Sequence, residues 1–425
     1  MFTPGKLDAL RARSVAESTL SEFACQTRGV PNPLAAGPEI VAIPGPTVVP
    51  DRVLSAMHRA MPDIYDGELL SVTDEVFDAL PGLARTASRG FVTISNGHGA
   101  WEMALSNTFS RGDLVLVLNC GLFAAVWADM AKFNGLRVEL IDGELGRAND
   151  PAQLEQRLRA DPAHEIKAVL TAHVDTSSSV RNAVPAIRRA IDAAGHPALL
   201  MVDCIASMGC EPFEMDDWGV DLALAASQKG LMTPPGLGFV WPGPKALAAH
   251  QHADLRTRYW DWTARTEDGP HYLRYSGTPP VAHLFAIREA LRMIDEEGLE
   301  ARWERHRALA SAVRAAVGAW SAEGGLSLHV AEPAEQANSV TTIRTGDVDA
   351  IELARLCKDL MGVTLGIGVR QFEGRSFRIG HMGHVNVPMV MGVLGAIEAA
   401  LLAVGAPIGC SGVAAAATSL STELE

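Results

Sequence analysis

Short apolar runs alternate with longer amphipathic segments between about residue 90 and residue 245. Strands of a parallel sheet are buried on both faces, and the helices that join them cover those faces. The alternation therefore predicts an α/β fold built on a mostly parallel sheet. The seven predicted strands are Phe91–Ser95, Leu114–Leu118, Val138–Ile141, Ala168–Ala172, Ala198–Asp203, Asp221–Ala226 and Leu237–Trp241.

The segment from Asp221 to Trp241 departs from this alternation. It holds two apolar runs with no room between them for a covering helix. A parallel pair of strands needs a long crossover connection, whereas an antiparallel pair needs only a short turn. We therefore expect one strand of the sheet to run antiparallel to the others.

Beyond Lys245 the pattern changes to that of a smaller α+β domain. Ala282–Glu296 and Glu300–Ala322 have the periodicity of long helices, and short strand-like runs follow them. We divide the chain into four parts: an N-terminal extension at 1–38, a large domain at 39–285, a small C-terminal domain at 286–406 and a tail at 407–425, whose last part, Gly412–Glu425, is expected to be loosely held. The extension is expected to pack on the body of the protein or on a partner subunit.

The charge balance restricts the possible partners. The 425 residues include 36 Lys and Arg against 50 Asp and Glu, a net charge of −14, so this surface would repel a nucleic-acid backbone. A small anionic substrate needs only one local arginine and is not excluded.

The six cysteines form no Cys-x-x-Cys pair, which indicates reduced thiols in the cytoplasm and neither a disulfide framework nor a metal site. No apolar run has the length of a membrane span.

Two residues at the ends of consecutive predicted strands carry the strongest chemical signal. Asp203 ends one apolar run, and Lys229 follows the next run, just before the Pro- and Gly-rich segment 233–238. A lysine can form a Schiff base with the aldehyde of pyridoxal 5′-phosphate (PLP), and an aspartate can keep the ring nitrogen protonated. Taken singly, Asp203 could cap a helix and Lys229 could lie at the surface. Together they predict a PLP site.

Other segments fit this cofactor less specifically. Residues 95–100 join a strand to a helix whose N-terminus can bind a phosphate, although many such turns are Gly-rich. Residues 173–179 gather hydroxyls that can bind a ring hydroxyl or form an ordinary Ser-rich turn. Phe123 can stack on a flat ring or belong to the core. His173 fits a structural or ring-side role better than proton transfer.

These motifs resemble the class V, fold-type I PLP aminotransferases, specifically the serine/alanine–glyoxylate aminotransferase group. The resemblance covers roughly residues 40–405, and the motifs occur in the same order, which makes it more specific than any single motif. The motifs are Ile43-Pro44-Gly45-Pro46-Thr47, Asn96-Gly97-His98-Gly99, Val202-Asp203, Ala206-Ser207-Met208-Gly209, Trp218-Gly219-Val220-Asp221, Ser227-Gln228-Lys229-Gly230, Pro234-Pro235-Gly236 and Phe377-Arg378-Ile379-Gly380-His381-Met382-Gly383.

The resemblance implies roles for individual residues around the cofactor. Lys229 would carry the Schiff base and move the proton, Asp203 would pair with the ring nitrogen, and Phe123 would stack on the ring. Ser177 would contact the side of the ring that carries the hydroxyl. The phosphate would be held by Asn96, Gly97, His98 and Gln228.

The same resemblance implies a homodimer with shared active sites. Tyr275 and Thr278 match positions that reach the cofactor phosphate of the neighbouring subunit. Arg378 would bind the α-carboxylate of the substrate through a bidentate, charge-assisted pair. Without the family, a structural salt bridge would explain an arginine in this apolar strand equally well.

Three departures from the family pattern concern the substrate. The segment around Tyr65, Ile-Tyr-Asp-Gly-Glu, is more similar to pyridoxamine–pyruvate aminotransferase, which makes Tyr65 a candidate substrate contact. The turn at 177–180 has a serine in place of the usual glycine. Arg370 stands where the glyoxylate enzymes tend to have no arginine, and we expect it to help select an extra anionic group on the substrate.

The expected reaction is transamination between an amino acid such as serine or alanine and glyoxylate or pyruvate. Its partners would be small amino and keto acids, with neither nucleic acid nor membrane. Three alternatives stay open: a pyridoxamine–pyruvate aminotransferase, another PLP enzyme of this fold such as a lyase or a cysteine desulfurase, and a catalytically silent protein. Two features argue against a desulfurase, namely Gln228 where those enzymes tend to have His and Cys357 in a predicted helix.

Overall fold

A computed structural model describes residues 33–265 and 269–424. Within these ranges the chain forms two β-sheets with helices packed against them. Most of the expected N-terminal extension, residues 1–32, lies outside the described residues. The packing expected of that extension therefore stays a prediction.

The described residues form twelve strands and twelve α-helices, numbered along the chain. The strands are β1 (Ile40–Ala42), β2 (Phe91–Ser95), β3 (Leu114–Asn119), β4 (Arg137–Asp142), β5 (Ile166–Ala172), β6 (Leu199–Asp203), β7 (Leu222–Ala226), β8 (Gly236–Pro242), β9 (Ser327–Leu328), β10 (Val340–Arg344), β11 (Val363–Ile367) and β12 (Ser376–Gly380). The helices are α1 (Asp51–Met57), α2 (Glu68–Ala84), α3 (Gly97–Thr108), α4 (Leu122–Phe133), α5 (Pro151–Arg159), α6 (Val184–Ala193), α7 (Pro244–His250), α8 (Val281–Glu297), α9 (Leu299–Trp320), α10 (Ala350–Met361), α11 (Val387–Ala403) and α12 (Gly412–Ser421). None of these helices is long and apolar enough to cross a membrane.

The larger sheet has the strand order β2–β8–β7–β6–β5–β3–β4. All pairs formed among β3, β4, β5, β6 and β7 are parallel, whereas β8 runs antiparallel to β2 and β7. The predicted seven-stranded, mostly parallel sheet is confirmed. The antiparallel strand expected between Asp221 and Trp241 is confirmed as β8.

Burial on both faces of this sheet explains why its inner strands, such as β6 and β7, appear as apolar runs. Leu116 and Leu118 of β3 belong to one hydrophobic cluster, whereas Val115 and Val117 belong to a second cluster on the opposite face. The carboxyl ends of the parallel strands meet at one edge of the sheet. Open α/β sheets bind their ligands at this edge.

The smaller sheet has the strand order β1–β11–β12–β10–β9. Strand β1 lies in the range assigned to the large domain, yet it pairs in parallel with β11, so that assignment is wrong for Ile40–Ala42. A strand of three residues is too short for its alternation to show in the sequence. Helix α8 also continues through the expected boundary at 285–286.

The expectation of a loosely held tail is wrong. Gly412–Ser421 forms helix α12, whose N-cap Ser411 accepts a hydrogen bond from the Ala414 amide. Ala416 is fully buried in the hydrophobic cluster that also contains Trp320 of α9. The small residues that suggested looseness are the ones that allow this helix to pack closely.

Candidate active site

A cavity of about 190 Å³ lies at the carboxyl edge of the larger sheet. It brings together seven of the residues predicted from the sequence: Asn96, Gly97, His98, Phe123, Asp203, Gln228 and Lys229. The rest of its lining is Gly45, Pro46, Trp101, Val174, Thr176, Ile205 and Ala206. Polar groups that lie far apart in the sequence converge here because their strands end together.

Lys229 lies just beyond β7, with 8% of its surface exposed. Burial, assisted by the positive charge of Arg378, lowers the pKa of its amine to about 8, while the charge of Asp203 opposes this shift. Nζ donates a hydrogen bond to the carbonyl of Pro44. The amine is thus close to changing its protonation state at neutral pH, as a group that transfers protons requires.

The segment that follows β1 holds this lysine in place. Thr47 donates from its amide to the Gln228 carbonyl over 3.0 Å, and from its hydroxyl to the Lys229 carbonyl over 2.9 Å. Gly45 has a φ of +93°, and a side chain at this position would overlap the side chain of Lys229. The backbone conformation and the close approach of the lysine both require glycine at position 45.

Asp203 ends β6 and is 3% exposed. Burial raises the pKa of its carboxyl to about 7. Its Oδ1 accepts from the Ile205 amide over 2.7 Å, and its Oδ2 accepts from the Trp101 indole over 3.1 Å. Both hydrogen bonds favour the ionised form, so a cationic N–H placed beside this carboxylate would complete its stabilisation.

Helix α3 begins at the cavity wall. Its N-cap, Asn96, accepts from the His98 amide over 3.0 Å. In the same cavity, Oε1 of Gln228 is buried and has no hydrogen-bond partner among the described residues. The N-terminus of a helix can hold a phosphate, whereas the unpartnered oxygen of Gln228 is an acceptor and needs a donor.

Phe123 is positioned by Asp175, which the sequence reasoning did not single out. Oδ2 of this buried carboxylate accepts from the amides of Phe123 over 2.8 Å and of Ala124 over 3.2 Å, at the start of α4. Oδ1 accepts from the Ser177 amide over 2.8 Å. One side chain therefore fixes the start of α4 against the turn that follows β5, and both segments line the cavity.

Ser177 does not line the cavity that contains Lys229. Its hydroxyl donates to Asp175 and accepts from the Leu122 amide over 2.9 Å, and it lines a neighbouring cavity. Thr176, one residue earlier, lines the lysine cavity. The predicted contact of Ser177 with the ring stays a prediction, and Thr176 is the hydroxyl that the geometry favours.

Arg378 lies on β12 with 9% of its surface exposed. Nε donates to the Ile367 carbonyl and Nη1 donates to the Thr176 carbonyl, each over 3.0 Å. Among the described residues no acidic side chain forms a salt bridge with it, and Nη2 has no partner. Burial lowers its pKa, so a carboxylate ligand would relieve the cost of burying this charge. The alternative of a structural salt bridge is not observed.

Two residues expected to reach a partner subunit, Tyr275 and Thr278, and the candidate substrate contact Tyr65 lie outside the cavity. Tyr275 is fully buried within its own chain, and its hydroxyl donates to Thr73 over 3.0 Å. Thr278 is exposed, and Tyr65 is 71% exposed with its ring edge-on to Tyr272. A contact between Tyr275 and the phosphate of a partner subunit would require the bond to Thr73 to be exchanged, so that role stays a prediction.

Arg370 lines the neighbouring cavity, which has a volume of about 200 Å³ and also contains Ser177 and His329. Its guanidinium is exposed and forms no ion pair with any residue in the described ranges. The two cavities share a wall, because Leu122 and Ser177 line one of them while Phe123 and Thr176 line the other. The structure does not bring Arg370 into the lysine cavity.

The cavity also contains a residue that the sequence reasoning missed, Trp101. It follows Gly97 by four positions, one turn of helix, so helical periodicity places it on the side of α3 that faces the cavity. Asp175 had a sequence signal as well, because an aspartate before Thr-Ser-Ser at a strand end is typical of a capped turn.

The donor set fits PLP. A buried amine with a lowered pKa, a buried carboxylate, an aromatic side chain and the N-terminus of a helix line one cavity. These groups match the aldehyde, the ring nitrogen, the ring face and the phosphate of that cofactor. Lys229, Asp203, Phe123 and the start of α3 would hold it.

Comparison with known proteins supports this interpretation. The family described as aminotransferase class-V matches residues 85–387. A serine–glyoxylate aminotransferase of Methylorubrum extorquens is 41% identical over 387 residues, covering 89% of this chain and 95% of that protein. An L-aspartate–glyoxylate aminotransferase of Paracoccus denitrificans is 38% identical over 386 residues, covering 88% of this chain and 94% of that protein.

Solved structures agree with these relatives. Pyridoxamine–pyruvate aminotransferase from Mesorhizobium loti has a TM-score of 0.83 at 26% identity, covering 93% of this chain and 100% of that one. Ureidoglycine–glyoxylate aminotransferase from Bacillus subtilis has a TM-score of 0.82 at 25% identity, covering 92% of this chain and 100% of that one. The fold, the cavity and the sequence match lead to one conclusion: the chain belongs to the class V aminotransferases, which depend on PLP.

Proposed function

We propose that this enzyme transfers an amino group from an amino acid such as serine or alanine to glyoxylate or pyruvate. The observation that carries the proposal is the placement of Lys229 and Asp203 in one buried cavity, with Arg378 close enough to influence the amine. The names of the relatives support glyoxylate as the acceptor, since two of them are glyoxylate aminotransferases.

Each residue has a distinct task in this reaction. Bound PLP supplies an aldehyde that takes up the amino group and a protonated ring that accepts electrons. Nζ of Lys229 removes the proton from the substrate Cα and returns a proton on the cofactor side, which its pKa of about 8 permits near neutral pH. The carboxylate of Asp203 keeps the proton on the ring nitrogen, and its two hydrogen-bond donors fix its orientation.

Arg378 binds the α-carboxylate of the substrate. Its Nη2 has no protein partner in the described part of the chain, whereas Nε and Nη1 are held by backbone carbonyls. These two bonds fix the plane of the guanidinium before the substrate arrives. The amino acid is thereby oriented with its Cα toward Lys229, and the keto acid that leaves makes room for the acceptor at the same arginine.

A screen of the first half-reaction tests the proposal. Purified holoenzyme is mixed with serine, alanine, aspartate or pyridoxamine, and the change of cofactor absorbance and the keto acid formed are measured. Rapid reaction with serine or alanine supports the proposal. Reaction with pyridoxamine alone would overturn it in favour of the second candidate, pyridoxamine–pyruvate transamination, which the structural similarity to that enzyme and the segment around Tyr65 favour.

A cysteine desulfurase is disfavoured by the placement of its candidate nucleophile. Cys357 lies inside helix α10, is fully buried and belongs to a hydrophobic cluster. Burial raises the pKa of this thiol to about 12, so almost none of it would be thiolate at neutral pH.

Arg370 is proposed to select donors that carry a second anionic group. Its guanidinium has no ion-pair partner among the described residues and lies in the cavity next to the lysine cavity. The relative that acts on L-aspartate is consistent with such a donor. In Arg370→Ala the preference for aspartate over alanine should fall, whereas in Arg375→Ala, a matched change in the same loop, it should persist. If the wild type and both variants showed the same preference for aspartate over alanine, this proposal would be wrong.

The active unit is proposed to be a homodimer in the cytoplasm. The exposed Thr278 lies outside the cavity of its own chain, which supports a contribution to the cavity of a partner. The described cysteines are free thiols, as in a reducing compartment. Light scattering of the holoenzyme should give twice the mass of the chain, and a monomer with full activity would contradict shared active sites.

A further inference from the structure

Asp203 is the last residue of β6 and lies opposite Leu224 of the neighbouring parallel strand β7, and Lys229 lies just beyond the end of β7. A tight turn at residues 205–210 follows Asp203, and Lys229 lies within the turn at residues 227–231. The two turns are in contact, because a side chain at Gly230 would overlap the carbonyl oxygen of Met208. The separation of the carboxylate and the amine therefore depends on how the turns are held together.

One buried guanidinium from another part of the chain binds both turns. Arg302, on helix α9, is 1% exposed. Its Nε donates to the Gly209 carbonyl over 2.9 Å, and its Nη2 donates to the Gly230 carbonyl over 2.7 Å. Its remaining nitrogen, Nη1, donates to Glu297 over 2.8 Å. All three nitrogens of the group have a partner.

The planar shape of the guanidinium determines what this contact does to the two turns. Its donors have fixed directions in one plane, so two carbonyls that bind Nε and Nη2 are held at a fixed separation. Burial lowers the pKa of Arg302, which shows that its charge is costly at this place. An apolar side chain would fill the same volume without that cost, so the two carbonyl contacts are what the arginine adds.

We propose that Arg302 is a positioning residue that fixes the turn after Asp203 against the turn that contains Lys229, and so places the carboxylate and the amine for the cofactor. The proposal rests on these two residues as the reactive pair and does not depend on which amino donor the enzyme uses. It predicts that loosening this contact changes cofactor binding more than it changes the stability of the fold.

Arg305 provides a matched control. It lies three residues later on the same helix and donates to the same carboxylate, Glu297. Its carbonyl partners are Gly383 and Val385, and it bonds neither to the turn after Asp203 nor to the turn that contains Lys229. Replacing it therefore disturbs the same ion pairs without releasing either turn.

The experiment compares R302K and R302M with R305K and R305M. Apoprotein is titrated with PLP and used for the thermal midpoint, because bound PLP would itself raise that midpoint, and the holoenzyme is used for kcat and KM. Lysine keeps the charge but cannot hold two carbonyls at a fixed separation. In R302K we expect PLP affinity and kcat each to fall about tenfold or more, the range expected when charge-assisted hydrogen bonds are lost, with KM changed less than about twofold.

In R305K the thermal midpoint should fall as much as in R302K, while PLP affinity and kcat stay within about twofold of wild type. Equal effects of the two lysine variants on PLP affinity would overturn the proposal. So would an R302K protein that does not fold, because the arginine would then serve the fold alone. Because the PLP titration needs no substrate, the proposal can fail or succeed independently of the proposed amino donors.

Discussion

Trp101 donates its indole N–H to Oδ2 of Asp203 over 3.1 Å. The two side chains come from α3 and β6, and they are 1% and 3% exposed. The N-terminus of the same helix lines the cavity at Asn96, Gly97 and His98. Helix α3 thus fixes the orientation of the carboxylate and also forms the part of the site that suits a phosphate.

Replacing Trp101 with phenylalanine tests this relationship. The change keeps an aromatic ring but removes one of the two hydrogen bonds that favour the ionised form of Asp203. A hydrogen bond to a charged group contributes roughly 1.5–3 kcal/mol, so PLP affinity should fall about tenfold or more. Titration of the apoprotein with PLP, followed by absorbance, measures it.

Trp127→Phe is the control for this change. The Trp127 ring stacks on Trp101 with 6.0 Å between centroids, it is equally buried, and its Nε1 has no partner among the described residues. Its replacement removes similar atoms from the same core without touching Asp203. If both variants lost PLP affinity equally, the bond between Trp101 and Asp203 would not be what matters.

Burial of Lys229 should make the apoprotein less stable at neutral pH. The pKa of its amine is lowered from 10.5 to about 8, so the folded state disfavours the charged form. This cost is fully present below about pH 8, falls as the pH rises through that value and vanishes above 10.5. Lys229→Met should therefore raise the free energy of unfolding of the apoprotein at pH 7 by on the order of 2–3 kcal/mol.

Urea unfolding of both apoproteins at pH 7 and at pH 10.5 measures this difference. The gain in stability of Lys229→Met should shrink toward zero at the higher pH, whereas an equal gain at both values would contradict a buried, ionisable amine. The same variant should have no transaminase turnover while keeping the fold.

Asp203→Asn should retain the fold and the amine of Lys229 but slow turnover. The amide cannot balance a positive charge on the ring nitrogen, so the ring becomes a weaker electron acceptor. We expect kcat to fall on the order of a hundredfold or more, the range seen when one electrostatic contact to developing charge is removed. A single-turnover measurement with saturating serine or alanine tests this, and an unchanged rate would contradict the pairing.

Arg378→Lys should weaken binding of amino acids while sparing amines that have no α-carboxylate. Lysine retains the charge but lacks the planar donors that Ile367 and Thr176 orient. The KM for the amino donor should rise about tenfold, equivalent to roughly 1.4 kcal/mol. As a control, the rate of the half-reaction with a simple primary amine is measured in the wild type and in Arg378→Lys. A parallel loss for that amine would indicate general damage to the site.

Much of the fold could be predicted because its strands are buried on both faces. Runs such as Leu114–Leu118 and Ala168–Ala172 contain little but apolar residues, and their order along the chain leaves few possible arrangements. Strand β1 was missed because three residues carry no readable period. Helix α12 was missed because small residues are compatible both with close packing and with a loose tail.

Some residues of the candidate site could be predicted from the sequence and others could not. Lys229 and Asp203 were identifiable because a charge at the end of an apolar run is chemically conspicuous, and both line the cavity. The sequence does not show which of Thr176 and Ser177 faces the cavity, because adjacent hydroxyls differ only in the direction that the turn around Asp175 gives them. Contacts with a partner subunit depend on a surface that a single chain does not contain.

The path of the chain after β1 links the smaller sheet to the reaction. Strand β1 is hydrogen-bonded to β11, and a few residues later the Pro44 carbonyl accepts from Nζ of Lys229, 185 positions downstream. Thr47 then holds the main chain on either side of that lysine. A shift of the smaller sheet would therefore move the Pro44 carbonyl and with it Nζ of Lys229, so this early segment couples the position of the lysine to the smaller sheet although it contributes no acid, base or nucleophile.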